Sequence, residues 1–68
     1  MSGQFAPAAH HLRIALDAEP DNVELRYLYA YACWRRGDLD ASITALETLL
    51  AARPDHRQAR LLLEKLRE

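Results

Sequence analysis

Three large aromatic side chains are spaced in a way that suits recognition of another protein. Tyr27, Tyr31 and Trp34 are separated by four and three residues, so in a helix they share one face. Such rings bury much surface at little entropic cost and are common in binding hot spots. Two interpretations stay open: the rings bind a partner, or they pack as ordinary core. In an intermediate arrangement, Tyr31 is largely core and Trp34 lies near the rim.

Residues that could support catalysis or bind a metal are few and scattered. Cys33 is the single cysteine, which excludes an internal disulfide and a multi-cysteine metal site. No base lies beside it in the sequence to generate a thiolate, so we expect a small buried apolar residue. The adjacent His10 and His11 point in different directions on a helix, and His56 is the remaining histidine. We expect no enzyme activity, no metal and no cofactor.

The elements that position these residues are predicted to be helices. The chain has 68 residues, with twelve Ala and twelve Leu against five Val, Ile and Thr together, a composition that favours helix over sheet. So short a chain forms at most one small unit. We predict an all-α fold with helices at about 5–18, 22–36, 39–52 and 56–67, joined by the short connections typical of antiparallel neighbours.

Turn residues mark the boundaries of these helices. Asp21 and Asp55 each follow a proline and precede Glu or Gln by three residues, an arrangement that predicts N-caps resembling a capping box. Between them, Gly37 suits a left-handed C-terminal cap and Asp38 an N-cap for the next helix. The apolar spacing then gives two amphipathic helices, with stripes at Phe5, Ala8, Leu12, Ala15 and Leu16, and at Leu39, Ser42, Ile43, Leu46, Leu49 and Leu50.

Two helices carry more apolar surface than one stripe requires. The second helix is apolar or aromatic on nearly every side between Leu25 and Trp34, so it must be covered twice or left partly exposed. The last helix is rich in leucine, at Leu61, Leu62, Leu63 and Leu66. It either packs inward or meets a partner.

An internal repeat of 34 residues organises the chain. Eight pairs of residues at this separation are identical: Gly3/Gly37, Leu12/Leu46, Leu16/Leu50, Ala18/Ala52, Pro20/Pro54, Asp21/Asp55, Arg26/Arg60 and Leu28/Leu62. Matches at Leu and Ala are expected by chance in helical sequences, whereas the repeated Gly and Pro-Asp are not. A repeat of this length is typical of stacked helical units.

The segment Gly37-Asp38-Leu39-Asp40-Ala41-Ser42-Ile43, followed by Leu46, Leu49-Leu50 and Pro54-Asp55, resembles the tetratricopeptide repeat (TPR). This resemblance implies a right-handed α-solenoid of antiparallel helical hairpins. Residues 23–56 would form one full repeat, residues 5–20 the second helix of a preceding repeat, and residues 57–68 the first helix of a following one, all in one domain spanning 1–68. The chain departs from the family pattern at Arg26, Tyr29-Ala30 and Cys33.

The resemblance also implies a non-catalytic interaction module, an adaptor, scaffold or chaperone, that holds a peptide or helix of a partner protein on its concave side. The residues expected there are Glu24, Tyr27, Tyr31, Trp34, Arg35, Gln58, Leu61 and Lys65. The family's clamp for a C-terminal carboxylate is not expected, because Tyr27, Leu28 and Tyr31 stand at its positions. The pair Arg35-Arg36 is either a solvated helix end that complements the dipole or a contact for an acidic partner.

Other partners and locations are disfavoured by charge and hydropathy. The net charge of -1 gives no general attraction to nucleic acid or to an anionic membrane. A helix-turn-helix DNA binder would read DNA with residues 39–52, which contain Asp40 and Glu47 but no Lys or Arg. No secretory signal or membrane-length apolar run is apparent, and the single cysteine fits a reducing compartment. We expect a soluble cytoplasmic protein.

The small number of repeats suggests association. Repeat arrays normally need three or more units and polar end caps, and no polar cap is obvious here. We expect a homodimer or a small subunit docked on another protein. The alternative is a fragment of a larger TPR protein whose apolar faces mediate oligomerisation. Bacterial secretion chaperones and assembly adaptors are conceivable roles by analogy of fold alone.

Overall fold

A computed structural model describes residues 5–68 and contains four helices within that range. They are α1 (Phe5–Ala18), α2 (Val23–Arg35), α3 (Leu39–Ala52) and α4 (Arg57–Leu66). Each helix packs against the next in the chain, and the short joints make these neighbours antiparallel hairpins. The expected all-α architecture is confirmed, with every helix boundary within one residue of its prediction. The remaining expectations for residues 1–4, including the Gly3 position of the repeat, lie outside the described residues.

The turn between α2 and α3 is set by Gly37. Its φ angle is 95°, a left-handed conformation that glycine adopts without steric cost. The Gly37 N–H donates to the Trp34 carbonyl at 3.0 Å and the Asp38 N–H to the Cys33 carbonyl at 2.9 Å, the two bonds of a Schellman motif. The Asp38 carboxylate then accepts from the Ala41 N–H at 3.1 Å. Both predicted caps at this turn are confirmed.

The predicted N-caps Asp21 and Asp55 are wrong by one residue. Asn22 caps α2, accepting from the Leu25 N–H at 3.1 Å. His56 caps α4, with Nδ1 accepting from the Ala59 N–H at 3.0 Å. The reason is that a turn precedes each helix. In the first turn the Asn22 N–H donates a hydrogen bond to the Glu19 carbonyl, and in the second the His56 N–H donates one to the Arg53 carbonyl. These turns contain the aspartates and leave the next residue in the extended conformation that a cap requires.

The 34-residue repeat reappears as a repeated hydrogen bond. The guanidinium of Arg26 donates to the Pro20 carbonyl at 3.0 Å, and that of Arg60 donates to the Pro54 carbonyl at 3.2 Å. Each arginine therefore fastens the first turn of its helix to the preceding loop. Arg26 departs from the aromatic residue common in the family, and this bond gives the departure a structural role.

The main core lies where α2, α3 and α4 meet. Its buried members are Ala30, Ala45, Leu46, Leu49, Ala59, Leu62 and Leu63. Ser42 is also fully buried, and its hydroxyl donates to the Ala30 carbonyl at 2.7 Å, so its polar group is satisfied. A smaller cluster of Ala9, Ala32 and Cys33 joins α1 to α2. Helix α2 is thus covered on two sides, and the expectation that Cys33 is buried is confirmed.

Some predicted packing positions are corrected by the structure. Leu39, placed in the α3 stripe, is 46% exposed. In α1 the buried positions are Ala9 and Leu16, so the stripe is turned slightly from the predicted one. On α4 the charged side chains of Arg57, Arg60 and Glu64 are exposed.

Candidate functional site

An open groove runs between α2 and α4. We call it the aromatic groove; it has a volume of about 270 Å³ and is lined by Tyr27, Tyr31, Trp34, Gln58, Leu61, Leu62 and Lys65. Residues separated by up to 38 positions in the sequence meet here because α3 holds α2 and α4 side by side. Three aromatic rings from α2 face leucine and polar side chains from α4. Such a mixture of apolar surface and a few polar groups is typical of a binding site.

Phe5, Tyr31 and Trp34 form one aromatic row, and Tyr27 makes a separate ring contact. Tyr31 and Trp34 meet edge to face with centroids 5.5 Å apart, and Phe5 of α1 extends the row by an edge contact to Tyr31 at 6.3 Å. Separately, Tyr27 lies 5.5 Å from the imidazole of His56. Edge-to-face contacts of this kind fix ring orientation. Contacts from α1 and from the start of α4 therefore orient rings in two parts of the groove surface on α2.

Two cations flank the Trp34 ring. The guanidinium carbon of Arg35 is 5.5 Å from its centroid and 5.2 Å from that of Phe5. The ammonium of Lys65, from α4, is 5.9 Å from the same Trp34 centroid. All three distances fit cation–π contacts. One end of the aromatic groove is thus basic as well as aromatic.

The exposure of the three rings answers part of the question left open by the sequence. Tyr27 and Trp34 are half-buried and pack against the main core. Tyr31 is 36% exposed, the most open of the three rings. The intermediate arrangement, with Tyr31 in the core and Trp34 at the rim, is therefore reversed. Each ring stabilises the fold with one part of its surface and leaves another part available to solvent.

The structure places six of the eight expected residues around the aromatic groove: Tyr27, Tyr31, Trp34, Gln58, Leu61 and Lys65. Arg35 lies beside it through Trp34, whereas Glu24 is exposed and does not line it. Sequence reasoning missed Leu62, His56 and the contact from Phe5. Leu62 could have been found from its helical spacing, three residues before Lys65 and four after Gln58.

A second hollow, about 470 Å³ in volume, lies among α1, α2 and α3. Its polar side chains include Arg13 and Asp17, an exposed ion pair at 3.8 Å, and Asp40. Tyr29 also lines it. Burial raises the pKa of Tyr29 above its ordinary value of 10.0, with the Cys33 side chain acting in the same direction and Arg13 in the opposite one. No sequence pattern indicated this hollow.

Within residues 5–68, no three His, Cys, Asp or Glu side chains are grouped so that they could hold a metal ion. The Cys33 thiol is buried, and His10 and His11 contact each other at 5.7 Å between ring centroids. In the same range no helix combines the length and the apolar character needed to cross a bilayer.

Comparison with known proteins agrees with this geometry. A family model described as tetratricopeptide repeat matches residues 1–66. Neither the curated proteins nor the solved structures gave a match. The four-helix architecture, the 34-residue period and the helical turn at Gly37 are all consistent with the family match. Domains of this family are typically non-catalytic and bind other proteins. The chain belongs to the tetratricopeptide repeat family.

Proposed function

We propose that the protein is an adaptor, scaffold or chaperone that binds a peptide or helix of another protein in the aromatic groove. The observation that carries the proposal is the convergence of Tyr31, Trp34 and Leu61 from two helices on one open hollow. Leu61 is 57% exposed, although burial would stabilise it by about 1.5–3 kcal/mol. A partner side chain seated against it would supply that burial.

The polar lining suits an extended or helical protein segment. Gln58 offers both an amide donor and a carbonyl acceptor, which can pair with the backbone of a segment lying along the groove. Tyr27 adds a phenol at the same end. Apolar anchors with a few polar groups around them are the usual arrangement of a hot spot and its rim. We assign Glu24 and Arg35 to the periphery of this surface.

The organisation of the chain supports the same role. We assign residues 23–56 to one full repeat, residues 5–20 to the second helix of a preceding repeat and residues 57–68 to the first helix of a following one. The aromatic groove then lies between the first helices of successive repeats, α2 and α4. The lone buried cysteine fits a reducing cytoplasmic setting.

The test is a selection from a library of random 12-residue peptides, followed by titration of the selected peptides against the fluorescence of Trp34, the single tryptophan. The groove variant combines Tyr31→Ala with Leu61→Ala. The control variant combines Ile14→Ala with Leu39→Ala, which removes side chains of 56% and 46% exposure outside the groove. Circular dichroism verifies that both variants fold.

We expect the groove variant to weaken binding at least tenfold, since hot-spot truncations cost about 2 kcal/mol or more. The control variant should stay within about twofold of wild type. Equal loss in both variants, or no loss in either, would overturn the proposal. Leu61 is 57% exposed, so its truncation should cost little stability.

Self-association is the second candidate function, favoured by the exposure of Ile14, Leu28, Leu39 and Leu61 at 46–57%. In this case a second copy covers the aromatic groove. Light scattering over a wide concentration range, with iodide quenching of Trp34, separates the candidates. Partner binding predicts a monomer with accessible Trp34, whereas self-association predicts a dimer with shielded Trp34 that Leu61→Asp dissociates.

A further inference from the structure

We infer that the segment bound in the aromatic groove carries an acidic side chain next to an apolar one, with the acid at the Trp34 end between Arg35 and Lys65. This inference rests on the proposed function and specifies the chemistry of the partner. Lys65 lines the groove and Arg35 borders it through Trp34.

Most arginines in the described residues already have an oxygen partner. Four form ion pairs with carboxylates: Arg13–Asp17, Arg36–Asp38, Arg53–Asp55 and Arg67–Glu47. Arg26 and Arg60 donate to backbone carbonyls. Arg35, Arg57 and Lys65 form neither kind of bond within residues 5–68. Of these three, Arg35 and Lys65 are held against the same aromatic ring, whereas Arg57 does not line the groove. The cations beside the groove are thus positioned by π contacts, which leave their hydrogen-bonding capacity unused.

The geometry favours a carboxylate as the missing partner. The Arg35 guanidinium is held near the Trp34 ring by a cation–π contact and makes no hydrogen bond there, and guanidinium N–H groups match a carboxylate in shape. A lysine ammonium adds a second donor of the same charge. The cation–π contacts also restrict both cations in advance, which reduces the side-chain entropy lost when an anion binds. Two unpaired positive charges near one ring repel each other, and an anion between them removes that repulsion.

The exposed apolar surface next to Lys65 determines the second feature of the bound segment, its apolar side chain. Tyr31 and Leu61 are exposed apolar groups in the same groove as Lys65. An aliphatic or aromatic side chain next to the acid would cover them while the acid reaches the cations. A polyanion is a poor alternative, because two cations release few counterions and the net charge is -1. The occupant is therefore an acidic and apolar protein segment.

Charge exchange tests the inference. Peptides selected on the wild type, synthesised with amidated C-termini so that the terminal carboxylate is absent, are compared with versions in which Glu or Asp is replaced by Gln or Asn. They are titrated against wild type, against Arg35→Glu with Lys65→Glu, and against a control, Arg13→Glu with Arg53→Glu, whose exposed ion pairs contribute little stability. The control reverses the same charge at residues that do not line the groove.

Removal of the acid should weaken binding to the wild type about five- to thirtyfold, as expected for a charge pair that is partly desolvated. Arg35→Glu with Lys65→Glu should weaken the acidic peptides at least tenfold and select basic peptides instead. The control pair should retain the acidic preference, with a change of about twofold or less.

Two results would overturn the inference, and only one of them would also overturn the proposed function. If selected peptides lose binding on Tyr31→Ala with Leu61→Ala but show no dependence on acidic residues, the partner chemistry is wrong and the proposed function stands. If no selected peptide responds to the groove variant, the proposed function fails, and the inference fails with it.

Discussion

The imidazole of His56 performs two tasks at once: its Nδ1 caps α4 and its ring packs beside Tyr27. The Ala59 N–H donates to Nδ1 at 3.0 Å, while the ring centroid lies 5.5 Å from that of Tyr27. Because Nδ1 accepts, the ring carries its proton on Nε2. The residue that starts α4 therefore also links this helix to the aromatic groove on α2.

Two substitutions at His56 separate these tasks. His56→Ala removes both the cap and the ring, and we expect a loss of about 0.5–2 kcal/mol in the free energy of unfolding. His56→Asn keeps a capping oxygen and removes only the ring, so it should be nearly as stable as wild type. Urea denaturation followed by circular dichroism measures both. Equal destabilisation by the two variants would contradict the role of Nδ1 as the cap.

Gly37→Ala tests the turn between α2 and α3. An added Cβ would meet no atom within 4 Å, so the cost comes from the backbone alone. A φ of 95° is unfavourable for alanine by about 1–2 kcal/mol. Gly37→Asn should cost less, because asparagine tolerates left-handed conformations better. The midpoint of urea denaturation should be highest for wild type, lower for Gly37→Asn and lowest for Gly37→Ala. An alanine variant as stable as wild type would contradict the role of the left-handed backbone at Gly37.

Leu46→Ala and Leu39→Ala compare a core position with an exposed one in the same helix. Leu46 is 0% exposed and Leu39 is 46% exposed. Truncation of a buried leucine costs about 2–5 kcal/mol, whereas a surface truncation should cost about 0.5 kcal/mol or less. Thermal and urea unfolding give both values. Similar losses at the two positions would show that α3 does not bury the face described here.

Stability should fall in alkaline solution through Tyr29. Burial raises the pKa of Tyr29 above 10.0, so the unfolded chain loses this proton at a lower pH than the folded chain does. The contribution to stability is complete below about pH 10 and is lost as the pH rises through the raised pKa. When the pH is raised from about 8 to about 11, the free energy of unfolding of Tyr29→Phe should fall by less than that of wild type. Identical pH profiles of urea unfolding would refute this prediction.

The fold could be predicted closely because its signals are local. Helix-forming residues and the Gly37 turn depend on neighbouring positions in the chain, and the 34-residue spacing can be read directly from the sequence. The N-caps were misplaced by one residue because Asp21 and Asn22 are both good capping types, and only the turn closed on Glu19 selects between them. Leu39 fits the spacing of the packed stripe on α3 but is exposed, because spacing does not show how far along the stripe a neighbouring helix extends.

The site was predicted in part for the same reason. Spacing alone places Tyr27, Tyr31 and Trp34 on one face, and family resemblance brings Gln58, Leu61 and Lys65 to that side. The contacts of Phe5 with Tyr31 and of His56 with Tyr27 depend on packing between helices, which periodicity does not encode. The hollow among α1, α2 and α3 depends on the same packing and had no counterpart in the sequence pattern.

The most direct test of the central claim is nuclear magnetic resonance of the isotope-labelled protein during titration with a selected peptide. Binding in the aromatic groove predicts the largest chemical-shift changes at the Trp34 indole and at the amides of Tyr31, Gln58, Leu61 and Lys65. Changes concentrated instead on Arg13, Tyr29, Thr44 and Thr48, which line the second hollow, would contradict the account and move the binding site to the surface formed by α1, α2 and α3.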